Sequence, residues 1–168
     1  PDRWNITGNA ERNNAGSIVL RIVYKENSVL LTGDVVGRHT TPAADSCIGS
    51  EKEMVDRSAA VPIRSDVLLA PHHGADNASS HRFIAAVNPT YVVVSAGRSN
   101  HDHPRNTAMK RYTDLGVDPS KILRTDLGDD EGPDEWPVGR IQTEVDQKGD
   151  EIVDIVLRSD GSYEVGYK

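Results

Sequence analysis

The chain has 168 residues, of which 36% are hydrophobic and 5% aromatic, and its net charge is −7. The length fits one hydrophobic core, and the apolar and aromatic fractions are low for a self-sufficient domain, as expected for part of a larger one. The acidic balance excludes a broad basic surface for nucleic acid, and no apolar run approaches the roughly 18 residues of a membrane helix.

The order of apolar runs and turn residues predicts an α/β fold. Residues 17–24 and 28–32 predict two strands that pair as a hairpin across a tight turn. Residues 35–50 are rich in Gly, Thr, Pro and Ala without a clean period, so we expect an irregular excursion over a site. Further strands are predicted at residues 66–70, 91–95, 122–125, 138–143, 152–157 and 163–167. The strands at residues 17–24 and 66–70 are apolar enough to need cover on both faces.

Three helices are predicted between these strands. Residues 51–60 predict a short helix. Ser79 or Ser80 is a suitable N-cap for the second helix. The third helix is predicted to have Pro104 at its first position and to close at Gly116. The mixture of strands and helices indicates a layered α/β structure.

Four polar clusters follow apolar runs and give the main indication of function. They are Asn13-Asn14-Ala15-Gly16-Ser17, Thr32-Gly33-Asp34, Pro71-His72-His73-Gly74 and the stretch from Ser95 to Pro104. Strand ends that bring Asp and His to one rim provide oxygen and imidazole ligands, which hold hard or borderline cations around an activated water. The clusters therefore predict a hydrolytic metal site.

In this order the clusters resemble the second half of a metallo-β-lactamase-fold hydrolase. The combination is LLTGD at residues 30–34, VLLAPHHG at residues 67–74, and the run from Asn100 to Pro104. The likeness is to the hydrolase domain of competence-type DNA-uptake (ComEC-like) proteins and their stand-alone relatives, and it covers nearly the whole chain. It implies a single half-domain over residues 1–168, the C-terminal half of an αββα sandwich with a mixed sheet and flanking helices.

One departure from the family changes what the chain is expected to do. The family's first metal motif, an HxHxDH-like cluster, has no counterpart in residues 1–12, and all six histidines lie between His39 and His103. We therefore expect a partner, the upstream half of the same domain, either cut from the same polypeptide or supplied as a separate chain. Loss of the metals is a third explanation, disfavoured because the acidic and histidine clusters stay together. Alone, the chain is expected to be inactive and metal-free.

The resemblance implies two divalent ions, zinc or manganese, in the complete domain. Asp34 matches the carboxylate that bridges both ions, and His73 matches a later metal ligand. Without the resemblance, Asp34 would be interpreted as a residue that caps a turn. Adjacent residues of an extended chain point to opposite sides, so His72 is assigned to the substrate phosphate or leaving group. The swapped assignment of the two histidines stays open. Gly74 would let the backbone pass close to the site.

The remaining residues are implied to contact substrate. His103 is interpreted as a phosphate contact or general acid, with helix capping as the alternative. Asn100 lies ahead of the same helix, whose free N–H groups attract anions. Asn13 rivals Asn14 by register, and His39 and His81 are expected to be structural. The substrate-binding set implied by the resemblance is Asn14, Ser17 and Ser95.

The implied activity is metal-dependent hydrolysis of a phosphodiester, in nucleic acid or in a small phosphoester. The substrate backbone would be held by a local basic set, namely Arg98, Arg105, Lys110 and Arg111. Two alternatives stay open: a metal-free module that binds a phosphate-bearing ligand, and a hydrolase of a non-phosphate ester or amide. The single cysteine, Cys47, excludes an internal disulfide framework and favours a reducing, cytoplasmic compartment.

Overall fold

The computed structural model of the chain describes residues 6, 8–40, 46–97, 103–126 and 152–168. The strand predicted at residues 138–143 lies outside these ranges. The main sheet contains β1 (Leu20–Tyr24), β2 (Asn27–Leu31), β3 (Val67–Leu69), β4 (Tyr91–Val94) and β5 (Ile122–Arg124), in that order across the sheet. A second sheet is the hairpin of β6 (Val153–Leu157) and β7 (Tyr163–Tyr167). The α-helices of the described part are α1 (Asn9–Ala15), α2 (Gly49–Asp56), α3 (His81–Val87) and α4 (Asn106–Asp114).

The pairing of the strands brings the polar clusters to one edge of the sheet. β1 and β2 form the predicted hairpin, with Tyr24 opposite Asn27. β2, β3, β4 and β5 run parallel to one another. Because the carboxyl ends of parallel strands meet at the same edge, the residues that follow β2, β3 and β4 converge there. The α/β class and the mixed sheet are confirmed.

The core has two layers, one on each face of the main sheet. Leu30, Leu68 and Val92 pack with α3 and α4 on one face. On the other face, Val29, Val67 and Val93 pack with the hairpin of β6 and β7. This alternation is the period of two expected of strands buried on both sides. The strand at residues 66–70 is thus covered on both faces as its apolar character predicts, although the cover comes from this chain and not from the upstream half that was expected to provide it.

The edge strand β1 differs from the rest of the sheet. The exposed fractions of Leu20 and Val23 are 52% and 54%, and that of Ile18, which precedes the strand, is 89%. Within the described part of the chain, these side chains lack the cover that their apolar character predicts. An exposed apolar edge strand is a surface on which another polypeptide can pack or pair.

The three predicted helices are present, but α2 spans Gly49–Asp56 instead of the predicted residues 51–60. Ser80 is the N-cap of α3, where its hydroxyl accepts a hydrogen bond from the N–H of Phe83 at 3.4 Å. Helix α4 begins at Asn106 rather than at Pro104, because Arg105 keeps an extended conformation as its N-cap. Helix α1 was not expected from the sequence. Among the described helices, none has the length and apolar character of a membrane span.

Candidate functional site

A cleft of about 870 Å³ lies at the edge where β2, β3 and β4 end. Helix α1 and the residues just before α4 complete its walls. Of the predicted site residues, those that line it are Asn14, Asp34, His72, His73 and His103. Asn100 lies outside the described residues. Neither His39 nor His81 is among the lining residues.

The two neighbouring histidines adopt an unusual backbone. The φ angles of His72, His73 and Gly74 are 51°, 56° and 76°, three successive residues in the left-handed region. The extended chain assumed from the sequence is therefore wrong at this position. Each non-glycine residue in this conformation costs about 1 kcal/mol or more, and such strain clusters at functional sites. Backbone hydrogen bonds from His72 to Gly33 at 2.9 Å and from Ala75 to His72 at 2.8 Å hold the turn.

Gly74 allows this turn to lie against the segment that carries His103. A Cβ at Gly74 would come within 2.6 Å of the Cβ of Pro104, a contact that real structures exclude. The N–H of Arg105 also donates to the carbonyl of Gly74 at 2.9 Å. The lack of a side chain at Gly74 therefore allows its backbone to lie against Pro104, the residue that follows His103.

His73 and Asp34 form the pair that is best suited to hold a cation. The Nδ1 of His73 donates to the carbonyl oxygen of Ser95 at 2.7 Å, and its Nε2 lies 3.3 Å from Asp34 Oδ1. Two ligands of a tetrahedral ion are about 3.3 Å apart when each lies about 2.0 to 2.1 Å from it. The hydroxyl of Ser17 accepts from the backbone N–H of Asp34 at 3.2 Å. Ser17 and Ser95 thus position this pair.

His73 and Asp34 would occupy only two positions in the coordination sphere of a metal ion. In the ranges that the structure describes, no group of three or more His, Cys, Asp or Glu side chains is arranged to hold an ion. A carboxylate and an imidazole suit zinc or manganese in chemical type. Further ligands are therefore needed to complete a stable site.

His72 belongs to a polar network that sequence reasoning missed in part. Its Nε2 lies 3.2 Å from Asn14 Nδ2, and its Nδ1 lies 2.9 Å from Asn77 Oδ1. Asn77 in turn donates from Nδ2 to Glu11 at 3.4 Å. The contact favours Asn14 over its rival Asn13. The ring of His103 lies edge-on to that of His72, with centroids 5.6 Å apart.

Arg111 was expected to belong to the basic set that holds the substrate backbone, and this prediction is wrong because its side chain is buried. Its exposed fraction is 5%, and it donates to the carbonyls of Ala78 and Ser79, each at 2.9 Å, and to Asp76 Oδ1 at 3.1 Å. It fixes the loop before α3 and is too buried to hold a substrate backbone. Lys110 pairs with Asp114 on the exposed side of α4. Of the described members of the set, Arg105 lines the cleft, whereas Arg98 lies outside the described residues.

Three side chains at one corner of the cleft donate hydrogen bonds to Asp76. Its Oδ1 accepts from Thr107 at 2.6 Å, from Arg111 at 3.1 Å and from Arg38 at 3.3 Å. Partial burial acts to raise the pKa of Asp76, but the hydrogen bonds from Thr107 and Arg111 and the two guanidinium charges hold it below the usual value. The stability from this carboxylate is therefore present above about pH 3.9 and lost as the pH falls through the lower folded-state pKa.

We expect Asp76→Asn to lower the free energy of unfolding by about 2 kcal/mol at neutral pH, because charge-assisted bonds to two arginines are lost. The difference between the two proteins should shrink towards zero in acid, where Asp76 is protonated. Urea unfolding at neutral and acidic pH measures both values. The control is Asp114→Asn, which removes an exposed pair and should change stability by less than about 0.5 kcal/mol. A loss that is the same at both pH values would contradict the expected role.

Three known proteins are similar to about two thirds of the chain. Competence protein ComA of Neisseria gonorrhoeae is 35% identical over 115 residues, which are 68% of this chain and 14% of that protein. ComE operon protein 3 of Bacillus subtilis is 28% identical over 118 residues, which are 70% of this chain and 13% of that protein. This chain is similar to competence proteins. The similarity agrees with the competence-type resemblance of the polar clusters.

A third protein is also similar to the chain. The uncharacterized protein YcaI of Escherichia coli is 32% identical over 110 residues, which are 65% of this chain. The chain spans only 13 to 14% of the length of the three relatives. No protein-family model and no solved structure matches the chain.

Proposed function

We propose that the chain is part of a metal-dependent hydrolase that cleaves a phosphodiester, in nucleic acid or in a small phosphoester, in a role connected with competence. The observation that carries the proposal is the separation of 3.3 Å between His73 Nε2 and Asp34 Oδ1 at the cleft. Similarity to two relatives named for competence supports the biological setting.

Asp34 and His73 would supply two of the metal ligands. Divalent ions, zinc or manganese, supply Lewis-acid activation of water and neutralise charge on a phosphoryl group. The remaining ligands are proposed to come from the upstream half of the domain. The exposed apolar side chains of β1 support such a partner, because burying them would remove apolar surface from water.

The charges of the cleft favour a metal-dependent role over a metal-free phosphate-binding module. Glu11 and Asp34 line the cleft, and carboxylates repel a phosphodiester. A bound cation reverses that repulsion at Asp34. Arg105 also lines the cleft, where its positive charge would hold a phosphoryl oxygen.

His103 is proposed as the group that protonates the leaving oxygen or contacts the phosphate. It lines the cleft beside His72, and the two rings lie within 5.6 Å of each other. A histidine is suited to proton transfer near neutral pH, because its ordinary pKa is about 6.5. Under this proposal one cleft would hold both a proton donor and a pair of metal ligands.

The proposal is tested by co-expressing the chain with its upstream half and assaying a chromogenic phosphodiester after chelation and return of Mn²⁺ or Zn²⁺. We expect metal-dependent hydrolysis at least about 10³-fold above background, modest against the range of enzyme accelerations. The chain without its partner should be inactive. Metal-independent binding of phosphate without hydrolysis would support the binding module, and activity confined to carboxyl esters or amides would overturn the phosphodiester assignment.

A further inference from the structure

We propose that Asn77 is a positioning residue: it holds His72 as the tautomer that is protonated at Nδ1, so that the Nε2 lone pair faces Asn14 on the wall of the cleft. The catalytic consequence of this inference rests on the proposed function, but the tautomer itself does not. Neither the sequence patterns nor the similarity to competence proteins assigns a role to Asn77.

The direction of the network follows from which groups can donate. The carboxylate of Glu11 only accepts, so the Asn77 atom that lies 3.4 Å from Glu11 Oε1 is the amide nitrogen. The other side-chain atom of Asn77, its carbonyl oxygen, then faces His72 Nδ1 at 2.9 Å. A carbonyl oxygen cannot donate, and Nδ1 must therefore carry the proton.

The contact at His72 Nε2 also indicates that the proton is on Nδ1. The amide nitrogen of Asn14 lies 3.2 Å from His72 Nε2 and has hydrogens to donate. The Nε2 atom therefore accepts, which it does through a lone pair when the ring is protonated at Nδ1. Glu11, Asn77, His72 and Asn14 thus form one directional chain of hydrogen bonds.

Burial and backbone hydrogen bonds fix Asn77 in the position that favours the Nδ1-protonated tautomer of His72. Its exposed fraction is 9%. Its backbone carbonyl accepts from the N–H groups of Gly37 at 2.9 Å and Arg38 at 3.0 Å. The side chain is therefore presented by a loop that is fixed to the segment after β2. Rigid support of this kind is what keeps a functional ring in one orientation.

In both His72 and His73 an oxygen acceptor faces Nδ1. The Nδ1 of His73 donates to the Ser95 carbonyl, which leaves Nε2 facing Asp34. For His72 the acceptor is the side-chain oxygen of Asn77, which a substitution can remove. A neutral ring protonated at Nδ1 keeps its Nε2 lone pair as the acceptor for the Asn14 amide, and it cannot protonate a leaving group from that atom. The geometry thus leaves proton donation to His103.

The test is long-range ¹H–¹⁵N correlation spectroscopy of the ¹⁵N-histidine-labelled 168-residue chain at about pH 8, where an ordinary histidine is neutral. The His72 signals are assigned with His72→Gln. We expect the Nδ1-protonated pattern in the parent chain and in Asn77→Asp, which keeps an acceptor. Asn77→Ala should shift His72 to the Nε2-protonated pattern, because the Asn14 side chain can then turn its carbonyl oxygen towards Nε2. Asn14→Ala is the matched control at the other nitrogen and should keep the parent pattern.

An Nε2-protonated His72 in the parent chain, or an unchanged pattern in a folded Asn77→Ala protein, would overturn the inference. Circular dichroism establishes that the variant is folded, and Glu11→Gln gives a second variant that loosens the Asn77 amide without touching His72. In the paired protein, Asn77→Ala should lower kcat about 10- to 100-fold, with recovery in Asn77→Asp. Absent hydrolysis in the parent would count against the proposed function and leave the spectra to decide the role of Asn77.

Discussion

Asp34→Asn is expected to weaken Mn²⁺ binding to the paired protein at least about 100-fold and to reduce hydrolysis in proportion, because even residues that only support a ligand contribute 10- to 100-fold. The amide has the shape of the carboxylate but lacks its charge and is a weaker ligand. The fold should be unaffected, since the side chain of Asp34 is 42% exposed and the bond to Ser17 comes from its backbone. Calorimetric Mn²⁺ titration and the phosphodiester assay measure the two effects.

The matched control for this prediction is Asp154→Asn, an exposed acidic residue of β6. It makes the same chemical change away from the cleft, and it should leave metal affinity and hydrolysis within a factor of about two, as expected of a surface substitution. Unchanged Mn²⁺ affinity in Asp34→Asn would mean that Asp34 only caps the turn after β2. That was the alternative interpretation of a Gly-Asp pair at a strand end.

The elements that could be predicted from the sequence are those with a local signal. Apolar runs predicted the strands, and the turn expected at residues 25–27 predicted the hairpin. The convergence of the clusters after β2, β3 and β4 was also predictable, because parallel strands end at one edge. Helix α1 was not, since its buried residue is Ala15 and it therefore lacks an apolar period.

The details of the site depend on contacts between distant parts of the chain. The left-handed turn at His72 and His73 is held by carbonyls of Gly33 and Ser95, which no local pattern reveals. The burial of Arg111 likewise depends on Asp76, 35 residues away in sequence. Sequence reasoning can propose residue types for a site, but such tertiary hydrogen bonds decide which of them reach the cleft.

Gly37→Ala is expected to lower the free energy of unfolding by about 3 kcal/mol, near the upper end for overpacking in a core. An added Cβ would lie 1.8 Å from Glu51 Oε2, and Glu51 is fully buried. Its carboxylate accepts from the N–H groups of Ser79 at 2.5 Å and Ser80 at 2.8 Å, so it cannot move without leaving them unpaired. The backbone of Gly37 is also held, because its carbonyl accepts from Ile48 at 2.8 Å. Chemical denaturation measures the loss.

A double-mutant cycle with Glu51→Ala separates this clash from a general intolerance of side chains at the position. Shortening Glu51 removes the atoms that Ala at position 37 would meet, so Gly37→Ala should cost less than about 1 kcal/mol in that background, a coupling of about 2 kcal/mol. Gly166→Ala is the control: nothing lies within 4 Å of its added Cβ. Additive losses would show that Gly37 is needed for its backbone alone. Coupled losses would show that Glu51 sets the distance between the segment after β2 and the loop that carries Asn77, on which the orientation of His72 depends.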